Sequence, residues 1–192
     1  MRNQRNSKYN ARKTEIDGIK FASKAEGDYY KHLKKLKAQG VVTWFDMQPR
    51  FTLLNAFTDD WGVEHNKIEY VADFLVHYAE GEPKVIDIKG TETPEFKLKR
   101  KWYCSMFPLE LKLIAHSAID GGWVETSVLK EARKVRKAEK EALDKEIVKQ
   151  FDLLVYSSLA SDKDIIKTLA KQFNVTVARV TKLVNKEAKQ NG

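Results

Sequence analysis

Apolar and polar positions change period along this chain, and the changes mark its elements. In TEIDGIKF two short alternating segments flank Asp17-Gly18, a pair suited to the positive backbone angles of a tight hairpin turn. Ser23 then offers an N-cap, Ala25, Tyr29, Leu33 and Leu36 recur at helical spacing, and Gly40 ends the pattern, which predicts a helix. Three β-branched and aromatic runs follow, VVTWFDMQPRFTLL, KIEYVADFLVHY and PKVIDIKG, separated by polar turns or by the loop from Asn55 to Asn66. They read as a strand meander. Thr93 as cap and Pro94 at the first helical position start a second helix, and LELKLIAH is a last strand. The order predicts an α/β domain over residues 14–123, with one sheet flanked by helices.

Beyond it the pattern becomes helical throughout. Residues 124–146 are strong helix formers of mixed charge without Gly or Pro, and predict a solvated connecting helix. Residues 147–192 divide into three amphipathic segments broken near Ser161 and Asn174, with Ser161 and Thr176 as caps and Ile165, Leu169 and Phe173 on one stripe. This small all-helical module fits a helix-turn-helix, and equally a helical hairpin used for packing or dimerisation. Residues 1–13 hold Arg2, Arg5, Lys8, Arg12 and Lys13, no acid and little to bury, and predict a flexible basic arm.

Composition narrows the classes. The formal charge of +8 favours association with polyanions. No apolar run reaches the roughly 18 residues a membrane-spanning helix needs, and the N-terminus is too polar for a secretory signal, so the expectation is a cytoplasmic protein without membrane contact. Cys104 is the only cysteine, which rules out an intrachain disulfide and the usual cysteine zinc sites. His32, His65, His77 and His116 lack metal-ligand spacing and read as structural or exposed.

The chemistry concentrates in YVADFLVHYAEGEPKVIDIKG. Alternation puts Asp87 and Lys89 on one face of their strand, with Ile86 and Ile88 on the other. Asp73 lies on the preceding strand, and a short antiparallel connection brings it within reach of Asp87. Two converging carboxylates repel unless a hard divalent cation joins them, and Mg²⁺ fits that need, with Lys89 beside it for a phosphate or an attacking hydroxide. The alternative is that these charges guard a sheet edge against aggregation. Glu26 has its own local explanation, because Ser23-Lys24-Ala25-Glu26 is a capping box.

FASKAEGDYY, MQPRFTLL, YVADFLV and VIDIKG, in that order and spacing, resemble the PD-(D/E)XK nuclease superfamily, and within it the phage-encoded endonucleases related to Holliday-junction resolvases. The similarity spans about Lys8 to His116. It implies a restriction-endonuclease-like core, a mixed central sheet flanked by helices. It also implies a metal set of Glu26, Asp73, Asp87 and the backbone carbonyl of Ile88, with Lys89 catalytic and Mn²⁺ as a substitute for Mg²⁺. Ala72 stands where the motif has proline, and Gln48 matches a position of possible auxiliary use that a turn before Arg50 explains as well. Lys97, Lys99, Arg100 and Lys101 on the following helix, with Arg12 and Lys13 of the arm, are the DNA-contacting candidates; a solvated helix face is the plainer account of the four.

Three functions follow from these readings: a Mg²⁺-dependent endonuclease acting on branched DNA in phage replication or recombination, a homodimer so that two sites nick two strands; a nuclease of the same chemistry on duplexes or flaps, or in defence or counter-defence; and a DNA-binding regulator without catalysis.

Overall fold

The structure, a computed structural model, describes residues 13–89 and 91–188. The basic arm, Arg12 included, therefore lies outside the described residues except for Lys13. The chain divides into two compact units between Leu129 and Lys130.

The first unit opens with the hairpin β1 (Thr14–Ile16) and β2 (Ile19–Phe21), turned by Asp17 and Gly18 with φ of 55° and 74°. Helix α1 (Lys24–Ala38) is capped by Ser23, whose hydroxyl accepts the Glu26 N–H. It stops at Gly40, where φ of 75° lets the Val41 N–H reach back to the Leu36 carbonyl. The hairpin lies close on this helix at Gly27, where a Cβ would come within 2.6 Å of the Thr14 methyl.

The remaining strands of the unit are β3 (Val42–Met47), β4 (Arg50–Leu54), β5 (Phe57–Thr58), β6 (Glu64–His65), β7 (Ile68–Val71), β8 (Phe74–Tyr78), β9 (Lys84–Ile88), β10 (Glu110–Ser117) and β11 (Gly122–Glu125). Helix α2 (Pro94–Met106) joins β9 to β10 and starts, as expected, on Thr93 and Pro94. The central sheet has the order β11-β10-β9-β8-β3; β9 and β10 are parallel, as a helical crossover requires, and the other neighbours are antiparallel. This is the mixed sheet with flanking helices that the sequence predicts.

Two of the three expected strands differ from the reading, because each is broken in the middle. VVTWFDMQPRFTLL splits into β3 and β4 at Gln48-Pro49, and KIEYVADFLVHY splits into β7 and β8 at Ala72-Asp73. The breaks face each other, tied by the Gln48 N–H to the Asp73 carbonyl at 2.9 Å and the Ala72 N–H to the Pro49 carbonyl at 3.1 Å. A long antiparallel pair is thus bent at one level, with β3–β8 in the central sheet and β4–β7 as a separate pair. The loop from Asn55 to Asn66 holds the small β5–β6 hairpin. The domain does not end at Trp123, since β11 runs to Glu125 and pairs with β10.

Alternation along β9 assigns its residues to two apolar layers. Ile86 packs with Phe21, Tyr29, Leu33 and Phe74, whereas Val85 packs with Tyr70, Phe96, Tyr103 and Leu113. Burying such side chains contributes roughly 1.5–3 kcal/mol each, which makes these strands the stable frame for any site they carry.

In the second unit the expected boundary at residue 146 is absent. The connecting helix and the first of the three terminal segments are one helix, α3 (Thr126–Ser157), because nothing between them stops a helix. Helices α4 (Asp162–Gln172) and α5 (Val177–Ala188) follow, and their core joins Ile165, Leu169, Ala170 and Val180 to Ile147 and Phe151 of α3. Among the described residues no helix is long and apolar enough to cross a membrane.

Candidate active site

The β8–β9 register pairs Phe74 with Ile86, and the Asp73 N–H donates to the Ile86 carbonyl at 3.2 Å, so Asp73 and Asp87 stand next in line across the two strands. Asp73 reaches over the gap, its Oδ2 accepting the Ile88 N–H at 2.6 Å. Asp87 is 1% exposed, the one charged residue among the buried ones described. Its Oδ2 accepts the Tyr70 hydroxyl at 2.7 Å. Lys89 Nζ lies 2.8 Å from Oδ1 but off the hydrogen-bonding direction, so that this oxygen has charge compensation without a hydrogen bond. The same ammonium sits 4.6 Å from the centre of the Phe96 ring, a cation–π contact that holds it against α2.

The electrostatics record a surplus of negative charge. Burial raises the Asp73 carboxyl from its ordinary 3.8 to about 7, and repulsion from Asp87 and, more weakly, Glu26 adds to it, while the Ile88 N–H and Lys89 oppose the rise. Tyr70 is driven strongly upward by burial and by the Asp87 charge, so its hydroxyl keeps its proton and remains a donor.

Glu26 is placed near this pair but is otherwise engaged. It lines a cleft of about 250 Å³ together with Gln48, Asp73 and Phe74. Its Oε1 accepts the Ser23 hydroxyl at 2.8 Å and its Oε2 the Ala22 N–H at 3.1 Å, a variant of the capping box in which the acid reaches the residue before the cap. Gln48 holds a φ of 52°, a conformation uncommon for a residue with a side chain, at the bend beside Asp73. Among the described residues no three acids, histidines or cysteines gather closely enough to hold a metal ion together. The convergence is thus a pair, Asp73 and Asp87, with Lys89 beside Asp87; Glu26 shares its cleft with Asp73, and neither Asp87 nor Lys89 lines that cleft.

A divalent cation fits that pair on two observations: the buried Asp87 Oδ1 lacks a hydrogen bond, and the Asp73 carboxyl is raised by burial and then by repulsion from Asp87, both of which a bound cation would offset. Two carboxylates also match Mg²⁺, which keeps several waters and takes few protein ligands. Ile88 stands between the acid and the lysine, its side chain half-buried against the α1 layer.

The basic candidates do not form one stripe. Lys97 and Lys101 are exposed one turn apart on α2, whereas Lys99 pairs with Glu95 at 3.0 Å and Arg100 with Glu92 at 3.3 Å. Lys13 is exposed just before β1. The histidines are scattered, His65 against Asp59 at 3.0 Å, His77 against the Trp44 ring, and His32 and His116 against Trp123.

Tyr70 and Phe96 are site residues the sequence reading passed over, because each looks like one more apolar position in its element. The alternation that links Val85, Asp87 and Lys89 carried the missing signal: whatever covers Val85 must also meet a buried acid, and an aromatic with a hydroxyl suits both.

No curated protein and no solved structure matches the chain. A family model does match, over residues 6–120, and that stretch contains Glu26, Gln48, Tyr70, Asp73, Asp87, Lys89 and Phe96. The chain therefore belongs to the family described as "Protein of unknown function (DUF1064)".

Proposed function

We propose that this protein is a divalent-metal-dependent endonuclease of the PD-(D/E)XK type that hydrolyses DNA phosphodiester bonds. The observation that carries the reading is the buried Asp87 beside the stressed Asp73, with Lys89 held 2.8 Å from the first of them. A buried acid with a half-buried acid beside it lowers stability unless cations compensate both, and a packed sheet has no use for such a pair on stability grounds alone. Asp73 and Asp87 would hold Mg²⁺ or Mn²⁺, with the Ile88 carbonyl beside them and Glu26 joining if it leaves its cap. The metal would supply Lewis-acid stabilisation of phosphate charge and an acidified water.

The chain's own residues have distinct tasks. Tyr70 fixes the Asp87 side chain in an apolar layer through its hydroxyl, which donates to Oδ2 at 2.7 Å. The Ile88 N–H holds the Asp73 carboxylate against the end of β9. Lys89, fixed by Phe96 and 30% exposed, presents its ammonium where a phosphate oxygen or a nucleophile can meet it. Lys97 and Lys101, which among the described residues lack the ion pairs that occupy Lys99 and Arg100, would bind flanking phosphates.

Branched DNA is the substrate we favour, with the enzyme as a homodimer in the cytoplasm of a phage-infected host. Labelled four-way junction, flap and linear duplex, each with and without Mg²⁺, test both levels of the reading. Symmetric metal-dependent nicks confined to the junction are expected. Equal cutting of linear duplex would move the substrate to ordinary duplex, and no metal-dependent cutting of any of the three would remove the nuclease reading. A DNA-binding regulator without catalysis is the second reading, favoured by one observation: both Glu26 oxygens are committed to the cap.

A further inference from the structure

The proposed chemistry leaves α4 and α5 without a task, and their geometry is specific. Helix α4 ends in a Schellman motif: Asn174, with φ of 50°, donates to the Lys171 carbonyl at 3.3 Å, and the Val175 N–H to the Ala170 carbonyl at 2.9 Å. Thr176 then caps α5 by accepting the Arg179 N–H at 3.3 Å, so the chain turns from one helix into the next over four residues. Ala170, at the turn, is buried and small, which allows α5 to approach.

Packing fixes which side of α5 faces out. Val180, Leu183 and Val184 point into the core of the unit. Arg179 donates from Nε and from a terminal nitrogen to Asp144 Oδ1 of α3, at 3.0 and 2.6 Å, and so ties the helix down and is not available to a ligand. The outer face consists of Ala178, Thr181, Lys182, Asn185 and Lys186, all of α5. Small residues occupy its first turns, amide and ammonium donors surround them, and it includes no acid.

We propose that residues 161–188 are a helix-turn-helix whose α5 enters the major groove of duplex DNA, with Ala178 and Thr181 allowing close approach and Lys182 and Asn185 reading base edges. Charge complementarity selects the occupant. Residues 161–188 hold six Lys and Arg against three acids, of which Asp162 and Asp164 lie in the first turn of α4 and Glu187 lines the groove toward α3. A helix about 10–12 Å across matches the B-form major groove of about 12 Å. Asparagine pairs two-fold with adenine and lysine with guanine there. A protein partner would want an apolar or aromatic centre, whereas the one exposed large apolar residue described on α5, Val177, lies at its N-terminal end, and the deep, narrow major groove of duplex RNA does not admit side chains.

This reading is independent of the nuclease, so its test reads binding alone. The full chain, in chelator, is used to select from random-sequence duplexes, and affinities are measured by fluorescence anisotropy. One sequence motif should emerge, bound about 10³-fold more tightly than a scrambled duplex. Lys182→Ala and Asn185→Ala should each reduce that preference by about ten- to a hundredfold with helicity and melting unchanged. Absence of any enriched motif overturns the proposal, as does a preference that survives both substitutions. Substitutions that spare DNA binding and instead split a dimer in sedimentation also overturn it and mark α5 as a protein contact. Since no cleavage is read, loss of the nuclease assignment would leave these outcomes untouched.

Discussion

The two units treat charge in opposite ways. In the first, the central sheet carries Asp87 in its apolar layer with one oxygen lacking a hydrogen bond, and Asp73 next to it with its carboxyl pushed up to about 7. In the second, the core is apolar among the described residues and an ion pair beside it, Arg179 with Asp144, stays partly exposed. Stability alone accounts for the second arrangement. The first weakens the fold that holds it, and a burden of that kind persists where a ligand relieves it, the role we propose for a divalent cation.

The largest effect that separates the units should come from Asp87→Asn. Single-turnover cleavage should fall by several orders of magnitude, because the charge proposed to bind the metal is lost, while anisotropy should show DNA binding intact or tighter with one negative charge fewer. Cleavage at the normal rate would place the site elsewhere. The pH dependence of stability is the next effect in size. An acid raised in the folded state binds its proton more tightly there, so its contribution is whole below about pH 4 and is lost as the pH rises through about 7. Without metal, the melting temperature should therefore fall across that window. Asp73→Asn should flatten the fall and leave the variant more stable than the natural chain at pH 8.

A paired substitution makes the comparison directly. Tyr70→Phe removes the hydroxyl that donates to buried Asp87 and should cost about 1–3 kcal/mol, whereas Arg179→Ala removes a half-exposed pair and should cost about 1 kcal/mol or less in denaturant unfolding. Equal losses would mean the two charge environments do not differ as described. The smallest effect belongs to Glu26→Gln, which preserves the capping box and should change stability by less than about 0.5 kcal/mol. A drop in cleavage on that background would give Glu26 a role beyond the cap; unchanged cleavage would confine it there.

What the sequence disclosed was set by local signals. Asp17-Gly18, Ser23 with Glu26, Thr93 with Pro94, and Ser161 each act through their own backbone, and each stands where expected. The Asp73–Asp87 juxtaposition was also legible, because alternation and a short connection leave few registers. The bend at Gln48-Pro49 and Ala72-Asp73 was not, since β-branched and aromatic residues continue through it and only pairing between the two arms locates it. The boundary placed at residue 146 followed a shift from charged to apolar composition, yet α3 passes through it, for composition changes which face a helix buries without ending the helix. The engagement of both Glu26 oxygens illustrates a further limit: a motif names a residue but leaves open which of two local partners holds its side chain.

The central claim is that Asp73 and Asp87 together bind a divalent cation, and calorimetric titration with Mg²⁺ and Mn²⁺ at pH 6 and pH 8 tests it most directly. The account predicts binding to the natural chain, tighter at pH 8 because the Asp73 carboxyl must first lose its proton, and no binding to a folded Asp73→Asn, Asp87→Asn double variant. Binding that is absent from the natural chain, or unchanged in the double variant, would contradict it.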